Sequence, residues 1–411
     1  MREGHRNRFP LRAAAFGAAL LLIAGTQPSL SRQPQVPEDK PAYKDARKHR
    51  RGYFGAGREQ PEPQGLNAVL LGYFGPSEPG HPEGGTIWQA TNLAVEEANA
   101  EGGYKGLPFR LVQAWAENPW ADGSSKVVRL VYLERVWALI GSIDGAATHV
   151  AEQVVAKARV PLIDPASTDD SVNQANVVWM FSCLPSDPAI AEVIVQSLRQ
   201  NAARSFVLLS ATDHDSRALT GEFKAALSRA RMTPLRHIEF ASGAEQLEAV
   251  TAQAAASSAR AVVLFARPKD SARAVRQIRR RSKELLIYGG PSMGRQAFFD
   301  AAGAFAEAIR VPVLVEPSDT AAQFIQKWTT RHGSPPDYAA MQAYDAVKLL
   351  IAAIRKAGLN RVRILDALEA LSPWQGVSGA IRWDELGRNA RPARMGVIRN
   401  GRPEPLDTPA I

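Results

Sequence analysis

The chain has 411 residues, 45% of them hydrophobic, with 31 Gly and 28 Pro. That length supports two ordinary domains with sizeable cores, and the composition fits a loop-rich α/β protein. The net charge of +9 is concentrated at one end: twelve Lys/Arg against six Asp/Glu fall in the first 65 residues. The remainder is close to neutral, which excludes a nucleic-acid-binding body. Cys183 is the single cysteine, so an intramolecular disulfide and a thiolate metal site are excluded as well.

The N-terminus reads as a secretory signal. Arg2, Arg6, Arg8 and Arg12 precede an apolar run over 13–24, and Ser29-Leu30-Ser31 offers a small-x-small cleavage site. Twelve apolar residues are too few to span a bilayer. Residues 1–31 are therefore expected to be removed on export, giving a periplasmic or extracellular protein, with an uncleaved anchor as the alternative. Residues 32–65 combine crowded charges at 44–51 with Pro34, Pro37, Pro41, Pro61 and Pro63. Such a segment is expected to be a disordered linker.

From residue 66 onward, strand and helix patterns alternate. A buried-strand run covers 68–74, then a Gly/Pro-rich loop covers 75–85 and Thr86 is a plausible N-cap. Ile87, Ala90, Leu93, Ala94 and Ala98 recur at helical spacing before Gly102-Gly103 stops the helix. Strands follow at 109–113, 137–140, 160–163, 205–209, 261–265 and 285–288. Helices are expected at 124–135, 149–159, 187–201, 219–230, 270–281, 321–332 and 338–357. The alternation implies parallel sheets with right-handed crossovers. So many strands divide more naturally into two doubly wound lobes than one sheet. Breaks near 182–188, 311–312 and 373 place 66–185 and 313–373 in an N-terminal lobe, with 186–312 and 374–411 in a C-terminal lobe. The tail reads as a β-hairpin of 380–384 against 394–399, with Asn400-Gly401 opening another turn.

The strands ending at Ile140 and Ile163 run into loops of small and hydroxylated residues, 144–148 and 164–168. In open parallel sheets such carboxyl-end loops hold small ligands. Neither loop carries a nucleophile–base pair. The chain also lacks a Gly-x-Gly-x-x-Gly after the first strand and a P-loop. A binding protein is favoured over an enzyme, and no cofactor or metal is expected. In particular Asp213-His214-Asp215 is not expected to form a metal site, because three successive residues seldom converge on one ion. The arginines at 273, 276, 279, 280 and 281 read as a solvated helix face.

Several segments together resemble one family: Val69-Leu-Leu-Gly72, Ala94-Val-Glu-Glu-Ala-Asn-Ala-Glu-Gly-Gly103, Pro161-Leu-Ile-Asp-Pro-Ala-Ser-Thr168, Tyr338-Ala-Ala-Met-Gln-Ala-Tyr-Asp345 and Gly379-Ala-Ile-Arg-Trp-Asp384. Their order and spacing over 66–400 resemble the type I periplasmic binding proteins, in the branched-chain amino-acid branch that serves ABC transporters. The resemblance implies an α/β fold of two doubly wound parallel-sheet lobes with a hinge, closing on an amino acid or a related small polar or anionic compound. It also implies delivery to a membrane ABC permease. A ligand-sensing receptor on the same fold is the alternative.

By the same resemblance, backbone groups at Gly145 and Ala146 face the ligand carboxylate, a role that suits a helix start. Ala166, Ser167 and Thr168 stand where the family uses a small residue, a backbone group and a hydroxyl. The family's amine-binding acid falls in 289–293, where this chain has no carboxylate but offers Ser292. Asp215 or Asp213 could replace that acid, or could simply cap the next helix. Arg267 brings a cation to the cleft, which implies a preference for a ligand with an additional anionic group. Trp88 and Trp120 are further candidates for the cleft wall.

Overall fold

A computed structural model describes residues 52–243 and 245–406. The expected signal and the first part of the expected linker lie outside the described residues.

In chain order the first lobe contains β1 (Val69–Phe74), α1 (Gly85–Ala100), β2 (Phe109–Ala114), α2 (Ser124–Val128), β3 (Ala138–Ile140), α3 (Gly145–Ala158), β4 (Leu162–Asp164), α4 (Ser171–Gln174) and β5 (Met180–Ser182). These strands form a parallel five-stranded sheet of order β2-β1-β3-β4-β5. The chain then crosses to α5 (Asp187–Gln200), β6 (Phe206–Ala211), α6 (His214–Arg229), β7 (Arg236–Phe240), α7 (Leu247–Ala255), β8 (Ala261–Phe265), α8 (Pro268–Arg281), β9 (Leu286–Gly289), α9 (Gln296–Ala302) and β10 (Arg310–Val313). It returns for α10 (Asp319–His332), α11 (Tyr338–Ala357) and α12 (Arg361–Leu371), with α11 lying along α1. A small antiparallel ribbon, β11 (Trp374–Gly376) and β12 (Gly379–Ile381), precedes the last crossing to β13 (Arg394–Arg399) and β14 (Arg402–Pro405). The second sheet runs β14-β13-β10-β9-β8-β6-β7 and is parallel except for β13 and β14.

The central strands are legible because they are buried on both faces. Every residue of β6 and β8 is buried, and strands covered on both sides read as continuous apolar runs. β7, by contrast, is Arg-His-Ile-Glu-Phe at a sheet edge, with one fully buried residue. It has no apolar run to betray it, and the sequence reading passes over it. Helix starts are set by side-chain caps: Asp144 accepts from Ala147 N at 2.8 Å, Asp213 from Ser216 N at 3.1 Å and Asp337 from Ala340 N at 2.9 Å. Thr86 is not a cap. Helix α1 already starts at Gly85, and the Thr86 hydroxyl donates to Asp337 instead.

Two expectations are corrected. Residues 52–65 are not a loose tether. Tyr53 is 1% exposed and stacks on Trp179 with ring centres 5.3 Å apart, while Arg58 pairs with Asp366 at 2.7 Å. Glu62 accepts from the Tyr104 hydroxyl at 2.9 Å. One buried aromatic and two polar anchors fix a segment whose average composition is that of a linker. The tail also pairs differently: 379–381 joins 374–376, and 394–399 joins 402–405 across Asn400-Gly401. Both turn residues have positive φ, 51° and 74°, the geometry that makes Asn-Gly a two-residue hairpin turn.

Three polar clusters tie the crossings together. Asp345 on α11 accepts from Val377 N and Ser378 N at 2.9 and 2.7 Å. Trp383 Nε1 donates to Ser182 O at 3.0 Å and Asn389 Nδ2 to Cys183 O at 2.7 Å. Arg391 donates to Ser378 O and Leu314 O, both at 2.8 Å. The segments that pass between the lobes are thereby bonded to one another and can act as one hinge.

Candidate functional site

The carboxyl ends of both sheets face each other across a cleft. Its cavity has a volume of about 80 Å3. A buried water needs roughly 10–15 Å3 of such space, so the cavity has room for roughly five to eight water-sized groups. The apolar wall is Ile143, Leu219, Phe265, Ala266 and Pro291. Phe265 is the last residue of β8 and is braced edge-on by Phe223, with ring centres 5.3 Å apart. The polar wall carries Glu83, Asp144, Asp213 and Asp215 against two cations, Arg267 and Arg295.

The lobes touch directly through these groups. Gly145 N, at the start of α3, donates to both oxygens of Asp215 at 2.9 and 3.1 Å. Arg267 of the second lobe reaches Glu83 and Asp144 of the first, each at 3.2 Å. Arg295 pairs with Asp337 at 3.0 Å, with both side chains almost fully buried. It also donates to Glu83 O and lies over the Tyr338 ring, 5.6 Å from its centre. Further out, His214 Nε2 meets Asp169 at 2.7 Å. The cleft is therefore closed.

Electrostatics follow from this packing. Removal from water, with Asp144 and Asp169 nearby, raises the Asp215 carboxyl well above the usual carboxylate range. Burial also raises Glu83, against the pull of Arg267. Burial works against the charge of Arg267, but Glu83 and Asp144 more than offset it. Arg295 is raised in the same way, with Asp337 as the dominant anion. Arg295 is matched by Asp337, and Arg267 is shared between two acids. Asp215 has no cationic partner among the described residues, so the cleft carries an excess of acid.

The residues singled out from the sequence fall as follows. Ala166, Thr168, Asp215, Arg267 and Ser292 line the cavity. Gly145 borders it through its N–H. Ala146 lies beside it, in a side pocket with Trp120 and His214. Ser167 is turned inward: its N–H donates to Asp164 at 3.1 Å and its hydroxyl accepts from Asp169 N at 3.1 Å. The Thr168 hydroxyl is engaged by Asp187 at 2.6 Å. Trp88 stacks on Tyr73, with ring centres 5.2 Å apart, rather than on the cleft. Asp213 caps α6, so of the two aspartates only Asp215 reaches across.

Glu83, Asp144, Arg295 and Tyr338 were not singled out. Asp144 was legible as a cap before an apolar helix. Arg295 sits only two residues beyond the loop read as lacking a carboxylate. Glu83 had no local signal, because only closure of the lobes brings it to Arg267.

Known proteins place this architecture. An amino acid binding protein of Pseudomonas aeruginosa is 22% identical over 331 residues, spanning 78% of this chain and 87% of its own length. The Leu/Ile/Val-binding protein homolog 8 of Brucella abortus is 23% identical, over 74% and 81%. Among solved structures, the branched-chain amino acid transporter substrate binding protein LivJ of Streptococcus pneumoniae, in complex with isoleucine, superposes with a TM-score of 0.75. It is 24% identical and covers 82% of this chain and 98% of its own. A solute binding protein of an ABC transporter from R. palustris, in complex with benzoate, gives 0.74 at 16% identity, covering 82% and 95%. Residues 71–403 match the family described as periplasmic binding protein, and the chain belongs to that family.

Proposed function

We propose that this protein captures a small amino-acid-like solute between its lobes and, once exported, presents it to a membrane ABC permease. One observation carries the ligand class: among the described residues Asp215 stands in the cleft with no ion pair, and a backbone N–H of the opposite lobe donates to it. An ammonium group supplies the missing charge, since an unpaired desolvated carboxylate is costly. The same step frees Gly145 N–H, at the N-terminus of a 14-residue helix, for the ligand carboxylate. Ligand and Asp215 thus exchange partners: Asp215 moves from the amide to the ammonium, and the ligand carboxylate takes the amide. Phe265, Leu219 and Ile143 receive a short apolar side chain. The cavity volume favours the smaller amino acids.

Arg267, from which the sequence alone suggests an anionic preference, is already paired with Glu83 and Asp144. The proposed site therefore selects for the ammonium first. The binding relatives, the hinge-like crossings and the absence of any membrane-spanning helix among the described residues support a carrier role.

A thermal-shift panel tests this, with small, branched-chain, acidic and aromatic amino acids set beside amine-free carboxylates such as benzoate. A ligand that binds only the folded state raises the melting temperature by mass action. Amino acids are expected to raise it. Stabilisation by benzoate and by no amine would overturn the proposal.

A further inference from the structure

Outside the ligand cavity, three side chains from two lobes converge. His149 lies on the first turns of α3, Asp169 in the loop after β4, and His214 at the start of α6. One ligand atom from each lies within 4.8 Å of the others. Asp169 Oδ2 is 2.7 Å from His214 Nε2 and 3.5 Å from His149 Nε2. The rings meet edge to face, with centres 5.6 Å apart.

The surroundings orient this group. Ser171 donates to Asp169 Oδ1 through its N–H at 2.9 Å and its hydroxyl at 2.7 Å. That pins one carboxylate oxygen and leaves the other facing the imidazoles; the Ser171 hydroxyl is itself 2.7 Å from His149 Nε2, a contact that an ion at this nitrogen would replace. On the far side of His149, Glu152 Oε2 is 3.5 Å from Nδ1. Glu152 is 2% exposed and its Oε1 has no hydrogen-bond partner among the described residues. A buried carboxylate behind a histidine fixes that ring's tautomer and makes its other nitrogen a better donor to a metal. Glu152 and Asp169 thus flank the His149 ring on its two sides.

We propose that His149, Asp169 and His214 form a transition-metal site, for Zn2+ or a similar divalent ion, that bridges the two lobes beside the ligand cleft. Two imidazoles and one carboxylate form the donor set of zinc and its neighbours rather than of calcium or magnesium. Tetrahedral zinc with bonds of about 2.0–2.1 Å holds its ligand atoms roughly 3.3 Å apart, against 2.7 and 3.5 Å from Asp169 Oδ2 to the two imidazole nitrogens here. Of the three, His214 also borders the side pocket of Trp120. His149 and Asp169 come from one lobe and His214 from the other, so the ion assembles only on the closed form and holds it closed. The triplet Asp213-His214-Asp215 does diverge: one aspartate caps α6, the other reaches Gly145, and His214 alone joins the cluster.

The test is Zn2+ titration of the untagged full-length protein by calorimetry, without amino acid, with Co2+ absorption spectra as a second readout. Variants are His149→Ala, His214→Ala and Glu152→Gln, with His237→Ala as a control distant from the cluster. The proposal expects one Zn2+ per chain and a higher melting temperature with zinc. Each cluster-histidine variant should bind at least tenfold more weakly, Glu152→Gln roughly tenfold more weakly, and His237→Ala as wild type. Folding of each variant is checked by circular dichroism. Zinc binding unchanged in both cluster-histidine variants, or no binding by the wild type, would overturn the site. Binding lost in His149→Ala but intact in His214→Ala would overturn the bridge between lobes.

Discussion

Replacing Asp215 by Asn separates a ligand-binding carboxylate from a merely structural one. Asparagine keeps the shape and an acceptor for Gly145 N–H, now 2.9 Å from the carboxylate, so the closed geometry survives. What disappears is the charge. A hydrogen bond to a charged group contributes about 1.5–3 kcal/mol, and leaving an ammonium buried without its partner costs about 3–5 kcal/mol. At about 1.4 kcal/mol per factor of ten, the dissociation constant of the amino acid selected by the thermal-shift panel should rise by about tenfold to a few thousandfold. Stability should not fall, because the wild-type carboxyl is itself disfavoured by burial. Asp213→Ala is the companion: it removes the cap on Ser216 N and should cost about 1 kcal/mol of stability, and it should weaken affinity less than Asp215→Asn does. Calorimetry gives the affinities and thermal melts the stabilities. An unchanged dissociation constant for Asp215→Asn, in a protein that melts as wild type, would refute the assignment of the ammonium to Asp215.

Arg295→Met should destabilise by about 3–5 kcal/mol in denaturant melts, because it strands the buried Asp337 carboxylate; a loss below 1 kcal/mol would mean that Asp337 finds water or a proton. Arg267→Ala removes two partly exposed pairs across the cleft, each contributing about 0–1 kcal/mol, and should enlarge the radius of gyration of the ligand-free protein in X-ray scattering. An unchanged radius would assign closure to the remaining contacts. Burial pushes Asp164 up to about 8, from an ordinary value of 3.8, with Oδ2 left unpaired. The folded state thus holds this proton more tightly than the unfolded one, so the contribution to stability is complete below pH 3.8 and is lost as pH rises through about 8. Asp164→Asn should gain melting temperature relative to wild type between pH 5 and pH 8.5; a difference independent of pH would contradict the shift.

The amino-acid order by itself determined what depends on neighbours along the chain. The runs at 206–211 and 261–265 are apolar without interruption because both faces of those strands are covered, and a doubly wound sheet requires that of its central strands. Asn400-Gly401 specified its turn because both residues tolerate positive φ. The loops after β3 and β4 were legible as open loops from their small residues, and Ala166 and Thr168 line the cavity. Tertiary structure alone decided which polar groups meet. Gly145 and Asp215 are 70 residues apart, and Arg267 and Glu83 are 184 apart. Neither pairing leaves a periodic trace, since an ion pair depends on separation in space rather than on spacing in sequence. The same holds for His149, Asp169 and His214, which come from three different elements in two lobes. Tyr53 makes the point for packing: within a charged, proline-rich stretch it looks like linker, and only the Trp179 surface it covers turns it into core.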